Sequence, residues 1–204
     1  MTKPQLSYFK VRALGQFPRV LLSYLSIDYD NNYIDKIDEN IIDDLKYGQL
    51  PLYTDSNGFK LVQSMAISKY IASQHDFVGK TPEEKALVDE TLAAVNIDVF
   101  TFIIRVFRGV EEKEKIQEII IPRFFAKWNQ ILGEKKYLAG GNSYTLADLY
   151  VYVAYEYIGY VLPFAADLLY NGKFPHLDSL KEHFESNKGV AEYLKNRPIT
   201  ERKI

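Results

Sequence analysis

The chain has 204 residues, 47% of them hydrophobic, a net charge of −2 and no cysteine. That length and apolar content suit one large core or two modest ones and exclude disorder; the lack of any basic block excludes the electrostatic footprint of nucleic-acid binding or of a polybasic membrane contact. Disulfides, protein thiolates and cysteine metal sites are impossible, so any thiol chemistry needs a thiol supplied from outside.

Residues 1–5 carry no apolar run of the signal-peptide kind, and no stretch of about 18 apolar residues follows, so a soluble, cytoplasmic protein is expected. Gln5-Leu6-Ser7-Tyr8-Phe9 reads as a short strand. Residues 16–26 place Phe17, Val20, Leu21, Tyr24 and Leu25 at helical spacing, with Pro18 in the first turn, where its missing N–H costs nothing. Residues 27–34 read as a second strand and residues 40–46 as a short polar helix. Leu50–Tyr53 and Phe59–Val62, joined by Asp55-Ser56-Asn57-Gly58, form a hairpin with turn chemistry at its tip. A helix from Ser64 to about Gln74 completes the order βαβαββα.

After Gly79-Lys80-Thr81-Pro82 the period is helical throughout. Val88, Leu92, Val95, Val99, Phe102 and Val106 describe one long helix with a single apolar seam. Ile121, Phe124, Trp128 and Ile131 describe a second, which Pro122 should kink. Thr145-Leu146-Ala147-Asp148 has the form of a capping box, and Tyr144 and Leu149 stand where a hydrophobic staple would sit. The box opens an apolar run from Leu149 to Leu162, so Asp148 reads as a structural cap rather than a catalytic acid. His75, His176 and His183 are scattered and form no metal cluster.

Tyr8 at the exit of the first strand, Gly48-Gln49-Leu50-Pro51 before the third and Gln63-Ser64 opening the next helix resemble the cytosolic glutathione transferases. The sigma class, which includes glutathione-dependent prostaglandin D synthases and S-crystallins, is the nearest in pattern. Leu6–Phe9, Gln63–Ala72, Thr145–Asp148 and Asn196-Arg197-Pro198 extend the resemblance over the whole chain. It implies an α/β plus all-α architecture: a thioredoxin-like glutathione-binding domain over residues 1–78, then an all-helical domain over residues 82–204 that supplies the hydrophobic-substrate site and dimer contacts.

The resemblance also implies a homodimer that uses glutathione as co-substrate and no metal, acting on a small hydrophobic electrophile, with neither nucleic acid nor membrane as partner. From spacing alone Tyr8 packs or catalyses; by resemblance it donates a hydrogen bond to the glutathione sulfur. Leu50, beside Gln49, would pair with the cysteinyl backbone of glutathione through a cis bond to Pro51, which read alone is an ordinary strand-initiating proline. Gln63 and Ser64 would hold the γ-glutamyl carboxylate at a helix start, where Ser64 alone reads equally as an N-cap. Asp98, next to the family's aligned position at Ile97, would reach the γ-glutamyl amine from the partner subunit. Phe9, Leu14, Phe102, Arg105 and Val106 would line the substrate pocket. Arg105 there would favour anionic substrates, or else is an exposed helix arginine.

Two departures stand out. Leu14 occupies a position where the sigma class commonly carries Arg, while Arg12 is retained. The segment from Asp38 to Lys46 is acidic where the family places a Trp and a Lys for the glycine end of glutathione, so Lys46 or Lys36 would have to substitute. Conjugation, isomerisation of the prostaglandin-synthase type and an S-crystallin-like binding role all remain open at this level.

Overall fold

A computed structural model describes residues 2–198 of the chain. They fall into two compact units, one formed by residues up to His75 together with those from Glu185 on, the other by Asp76–Phe184. In the first unit β1 (Gln5–Phe9) pairs in parallel with β2 (Asp30–Ile34) and antiparallel with β3 (Leu52–Thr54), which pairs antiparallel with β4 (Lys60–Val62), giving the order β2-β1-β3-β4. Helices α1 (Gln16–Tyr24) and α2 (Ser64–Ser73) pack against each other. The expected βαβαββα order holds, with two local differences. Helix α1 stops at Tyr24 and β2 begins only at Asp30. Ser26 takes a left-handed φ of 56°, and the N–H groups of Ser26 and Ile27 donate back to the carbonyls of Ser23 and Leu22 at 3.1 and 2.9 Å. Those bonds form a Schellman cap, which diverts Ile27 from a strand ladder. The polar helix expected over residues 40–46 shrinks to a single 3-10 turn, Ile42–Asp44. Asp38 Oδ1 accepts from the Asn40 N–H at 3.0 Å, a local bond that competes with helix formation.

In the second unit α3 (Pro82–Ala93) begins on Thr81, whose side chain accepts from the Glu84 N–H. It continues through a π-helical stretch, Ala94–Phe100, into α4 (Thr101–Phe107). A second π stretch, Ile116–Phe125, contains Pro122 and leads into α5 (Ala126–Lys135). Then come α6 (Leu146–Val161), α7 (Pro163–Leu169) and α8 (Pro175–Ser186). Most members of the expected seams are buried, Val106, Ile121 and Trp128 among them, but three positions within or beyond the π stretches move by one. Val88, Leu92, Val95 and Val99 are fully buried, but the next core position belongs to Ile103, with Phe102 only half-buried. In the other helix Phe125 and Leu132 take the core places expected of Phe124 and Ile131. A π turn closes i→i+5 bonds and holds an extra residue, so the buried face advances one position relative to an α period.

Helix α9 (Lys188–Asn196), which follows the helices of the second unit in chain order, packs along α1 in the first unit. The Tyr193 hydroxyl lies 2.6 Å from Gln16 Oε1, and Asn187 Oδ1 caps α9 through the N–H groups of Gly189 and Val190. Gly189 lies so close to the Ser23 carbonyl that a Cβ there would stand 2.1 Å from its oxygen.

The core of the second unit is α6, buried nearly all round, and it depends on its first turn. The capping box is present, and the Asp148 carboxylate, with no exposure, accepts from the N–H groups of Thr145 and Leu138 at 2.8 and 2.9 Å and from the Thr145 hydroxyl at 3.1 Å. Tyr144, assigned to a staple with Leu149, packs on Tyr137, His183 and Phe184. Burial pushes the Asp148 carboxyl up to about 6, against the lowering pull of these donors. Between roughly pH 4 and that value the folded chain binds the proton better than the unfolded one, so the stability this group contributes falls as pH rises through that window. Asp148→Ala strands three buried donors and is expected to cost about 2–4 kcal/mol in urea unfolding at pH 7. Asp148→Asn is expected to lose the slope between pH 4 and 6; an unchanged slope contradicts the assignment.

Candidate active site

Alternation along β1 sends Leu6 and Tyr8 to one side of the sheet and Ser7 to the other. Tyr8, at 7% exposure, stands at the strand's exit in a cluster with Ile41, Leu45, Leu50, Leu52 and Val62, against which Phe9 and Leu14 also pack. The structure thus brings four of the expected residues, Tyr8, Phe9, Leu14 and Leu50, into contact with one apolar cluster. The Leu50–Pro51 peptide is cis. Directly after Val62, Gln63 takes a left-handed φ of 76° and occupies the N-cap of α2, making the buried Ser64 the first helical residue rather than the cap. The Gln63 amide approaches Gln49 Oε1 at 3.5 Å, so the two expected binding segments meet. The N–H groups of a helix start and its positive dipole end suit a carboxylate.

Two residues that sequence reasoning passed over fix the Tyr8 ring. Gly15 has a φ of −73°, which any residue adopts, yet a Cβ there would stand 2.3 Å from Tyr8 Cδ1. The space beside the ring, not backbone freedom, demands glycine. Arg19, 2% exposed, holds its guanidinium carbon 5.5 Å from the centre of the Tyr8 ring and 5.1 Å from that of Tyr33. An arginine among Phe17, Val20, Leu21 and Leu22 on a short apolar helix was the available signal.

The remaining expected residues lie elsewhere. Lys46 rests over the Tyr47 ring, with Nζ 5.7 Å from its centre. Lys36 lines a polar cavity of about 580 Å³ with Ser7, Asn32, Asp35, Asp38 and Asp44. In the second unit Asp98 and Ile97 are exposed on the π stretch, Phe102 is half-buried and Val106 buried. Arg105 pairs with Glu111 at 2.8 Å, and Lys115 joins the same carboxylate at 3.1 Å. The hydrogen bonds from these two cations hold the Glu111 carboxyl below its usual range.

Residues 4–73 match the family model for the glutathione S-transferase N-terminal domain, and residues 97–197 that for the C-terminal domain. A putative glutathione S-transferase alpha-2 of Dictyostelium discoideum is 44% identical over 198 residues, 97% of this chain and 96% of the relative. The chain belongs to the glutathione S-transferase family. It is an enzyme of that kind, and glutathione is the family's co-substrate. Human hematopoietic prostaglandin D synthase is 29% identical across 98% of this chain and 99% of its own. Among solved structures, a glutathione S-transferase of the hookworm Necator americanus, described as monomeric, superposes with a TM-score of 0.80 at 28% identity, covering 98% of this chain and 100% of that one. No helix among the described residues is long and apolar enough to cross a membrane.

Gly15→Ala is expected to drive the Tyr8 ring from its seat and lower stability by about 1–3 kcal/mol in denaturant unfolding, with a changed near-ultraviolet tyrosine signal. An unaltered signal and stability would mean the ring has room to spare.

Proposed function

We propose that this enzyme, a sigma-class-like and cytoplasmic transferase, conjugates glutathione to hydrophobic electrophiles in a detoxifying role, with Tyr8 donating a hydrogen bond from its hydroxyl to the glutathione thiolate. The observation that carries the reading is the seating of Tyr8 in one cluster with Leu50, beside the Gln63-Ser64 helix start. A free thiol has a pKa near about 8.5 and is only a few per cent ionised at pH 7. A hydroxyl donor favours the ionised form, and a depression of about two units, roughly 2.7 kcal/mol, makes most of it thiolate. Tyr8 is a donor and not a base. The sulfur lone pair then forms a C–S bond with the electrophilic carbon, and the bond to the leaving group breaks with its electron pair.

Leu50 pairs with the cysteinyl backbone, Gln49 and Gln63 flank the peptide, and Ser64 at the start of α2 receives the γ-glutamyl carboxylate. In a homodimer, Asp98 of the partner subunit meets the γ-glutamyl amine. Phe9 and Leu14 furnish an apolar substrate surface in the first unit, and Phe102, Arg105 and Val106 are the candidates for substrate contact in the second. The ion pair with Glu111 offsets the charge of Arg105 and weakens the case for selection of anionic substrates. Relatives named prostaglandin D synthase support a second reading, isomerisation with glutathione returned unchanged; it needs the same thiolate.

The ultraviolet thiolate absorbance of bound glutathione, titrated against pH, tests the central role. The wild-type thiol pKa is expected well below that of free glutathione and Tyr8→Phe to return it toward the free value, with a loss of about 10²-fold in kcat/KM. A pKa indifferent to Tyr8 would sink the reading. Mass analysis of product then separates conjugation, which yields a glutathione adduct, from isomerisation, which does not.

A further inference from the structure

We propose that Arg19 is the positioning residue for Tyr8: its guanidinium lies against the phenol face, fixes the ring, and lends the hydroxyl a positive field that makes it a stronger donor to the glutathione thiolate. This rests on the reading of Tyr8 as that donor. All three kinds of N–H on the Arg19 side chain are held. Nη1 donates to the Val11 carbonyl at 2.6 Å, Nη2 to the Phe9 carbonyl at 3.1 Å, and Nε to Asn31 Oδ1 at 3.1 Å. These acceptors are neutral, so the fork is satisfied geometrically while its positive charge is not cancelled by them. A buried cation in that state acts strongly on whatever polarisable group lies beside it, and the groups beside it are phenol rings.

The rings come from each element around the guanidinium. Tyr8 belongs to β1, Tyr33 to β2, Tyr29 to the approach to β2 and Tyr193 to α9, where Arg197 adds a second cation near Tyr193. Burial pushes the Tyr29 hydroxyl up to about 12 and Tyr193 upward as well, and in both the charge of Arg19 pulls the opposite way. Tyr8 differs from these in lying at the strand exit with Leu50 and Leu14. Its position is fixed from two directions: Gly15 at the start of α1 leaves no spare room at Cδ1, and Arg19, one helical turn later, lies over the ring. The same guanidinium holds the carbonyls of Phe9 and Val11, the residues that carry the chain away from Tyr8. One side chain therefore sets the ring and the loop that follows it.

Arg19→Lys keeps the charge but replaces a planar fork with a single point donor that cannot hold three acceptors in one plane. A double-mutant cycle with Tyr8→Phe, read by the thiol pKa of bound glutathione, decides whether Arg19 acts through Tyr8. Arg19→Lys is expected to raise that pKa by about half a unit to one unit, a roughly three- to tenfold fall in the thiolate-to-thiol ratio, and to raise it no further in the Tyr8→Phe background. A lowered melting temperature with an unmoved thiol pKa would mark Arg19 as a clamp of the fold only and overturn the proposal. So would a shift that persists undiminished without the Tyr8 hydroxyl. If Tyr8→Phe by itself leaves the thiol pKa unchanged, the reading of Tyr8 fails and takes this one with it, whereas a response to Tyr8→Phe but not to Arg19→Lys removes this proposal alone. Should Arg19→Lys not fold, Asn31→Ala, which frees the Nε–H and loosens the fork with its charge intact, takes its place in the same cycle.

Discussion

A guanidinium buried at the hinge between β1 and α1 organises the first unit. Arg19 ties the carbonyls of Phe9 and Val11 to the side chain of Asn31 and lies against the rings of Tyr8 and Tyr33. Burying a charge is expensive unless its donors are all engaged, and here each of the three directions of the fork finds an acceptor. The geometry that satisfies the arginine is the geometry that seats Tyr8. Burial of the charge and the seating of Tyr8 thereby meet at one residue of α1, the helix on which α9 also packs through Tyr193 and Gln16.

The second unit solves a different problem. Its central helix α6 is apolar on nearly every side and needs a polar start, which Thr145 and Asp148 supply by satisfying each other's neighbouring backbone donors. The helices around it carry π stretches at Ala94–Phe100 and Ile116–Phe125. In the second of these Pro122, which has no N–H to give, sits inside the wider turn instead of breaking the helix. The first exposes Ile97 and Asp98 together on its outer side.

Without a cysteine the protein carries no thiol of its own, and its family chemistry uses the thiol of glutathione. Beside Tyr8 the structure sets a cis Leu50–Pro51 bond, a helix start at Ser64, and the meeting side chains of Gln49 and Gln63. The acidic segment after β2 contributes apolar packing through Ile41 and Leu45 rather than a positive charge, and Lys60 is engaged by Asp44 at 2.5 Å.

The order of strands and helices, the hairpin at residues 55–58, the capping box and the placement of Tyr8 at a strand exit could be read in the sequence, because each depends on neighbours within a few positions. Turn residues, cap residues and apolar period are local properties, and local physics decides them. Tertiary structure alone decided which residues of the long helices face the core, since a π turn adds one residue without any mark in the hydrophobic pattern, and Ile103 and Phe125 took the places of Phe102 and Phe124. It alone returned α9 to α1, an association made by Tyr193 with Gln16, 177 positions apart. It also decided the roles of Gly15 and Arg19. In the sequence these are a small residue and a charge near a helix start; only when the strand, the loop and the helix close on one another does the glycine become the space for a ring and the arginine the cation beside it.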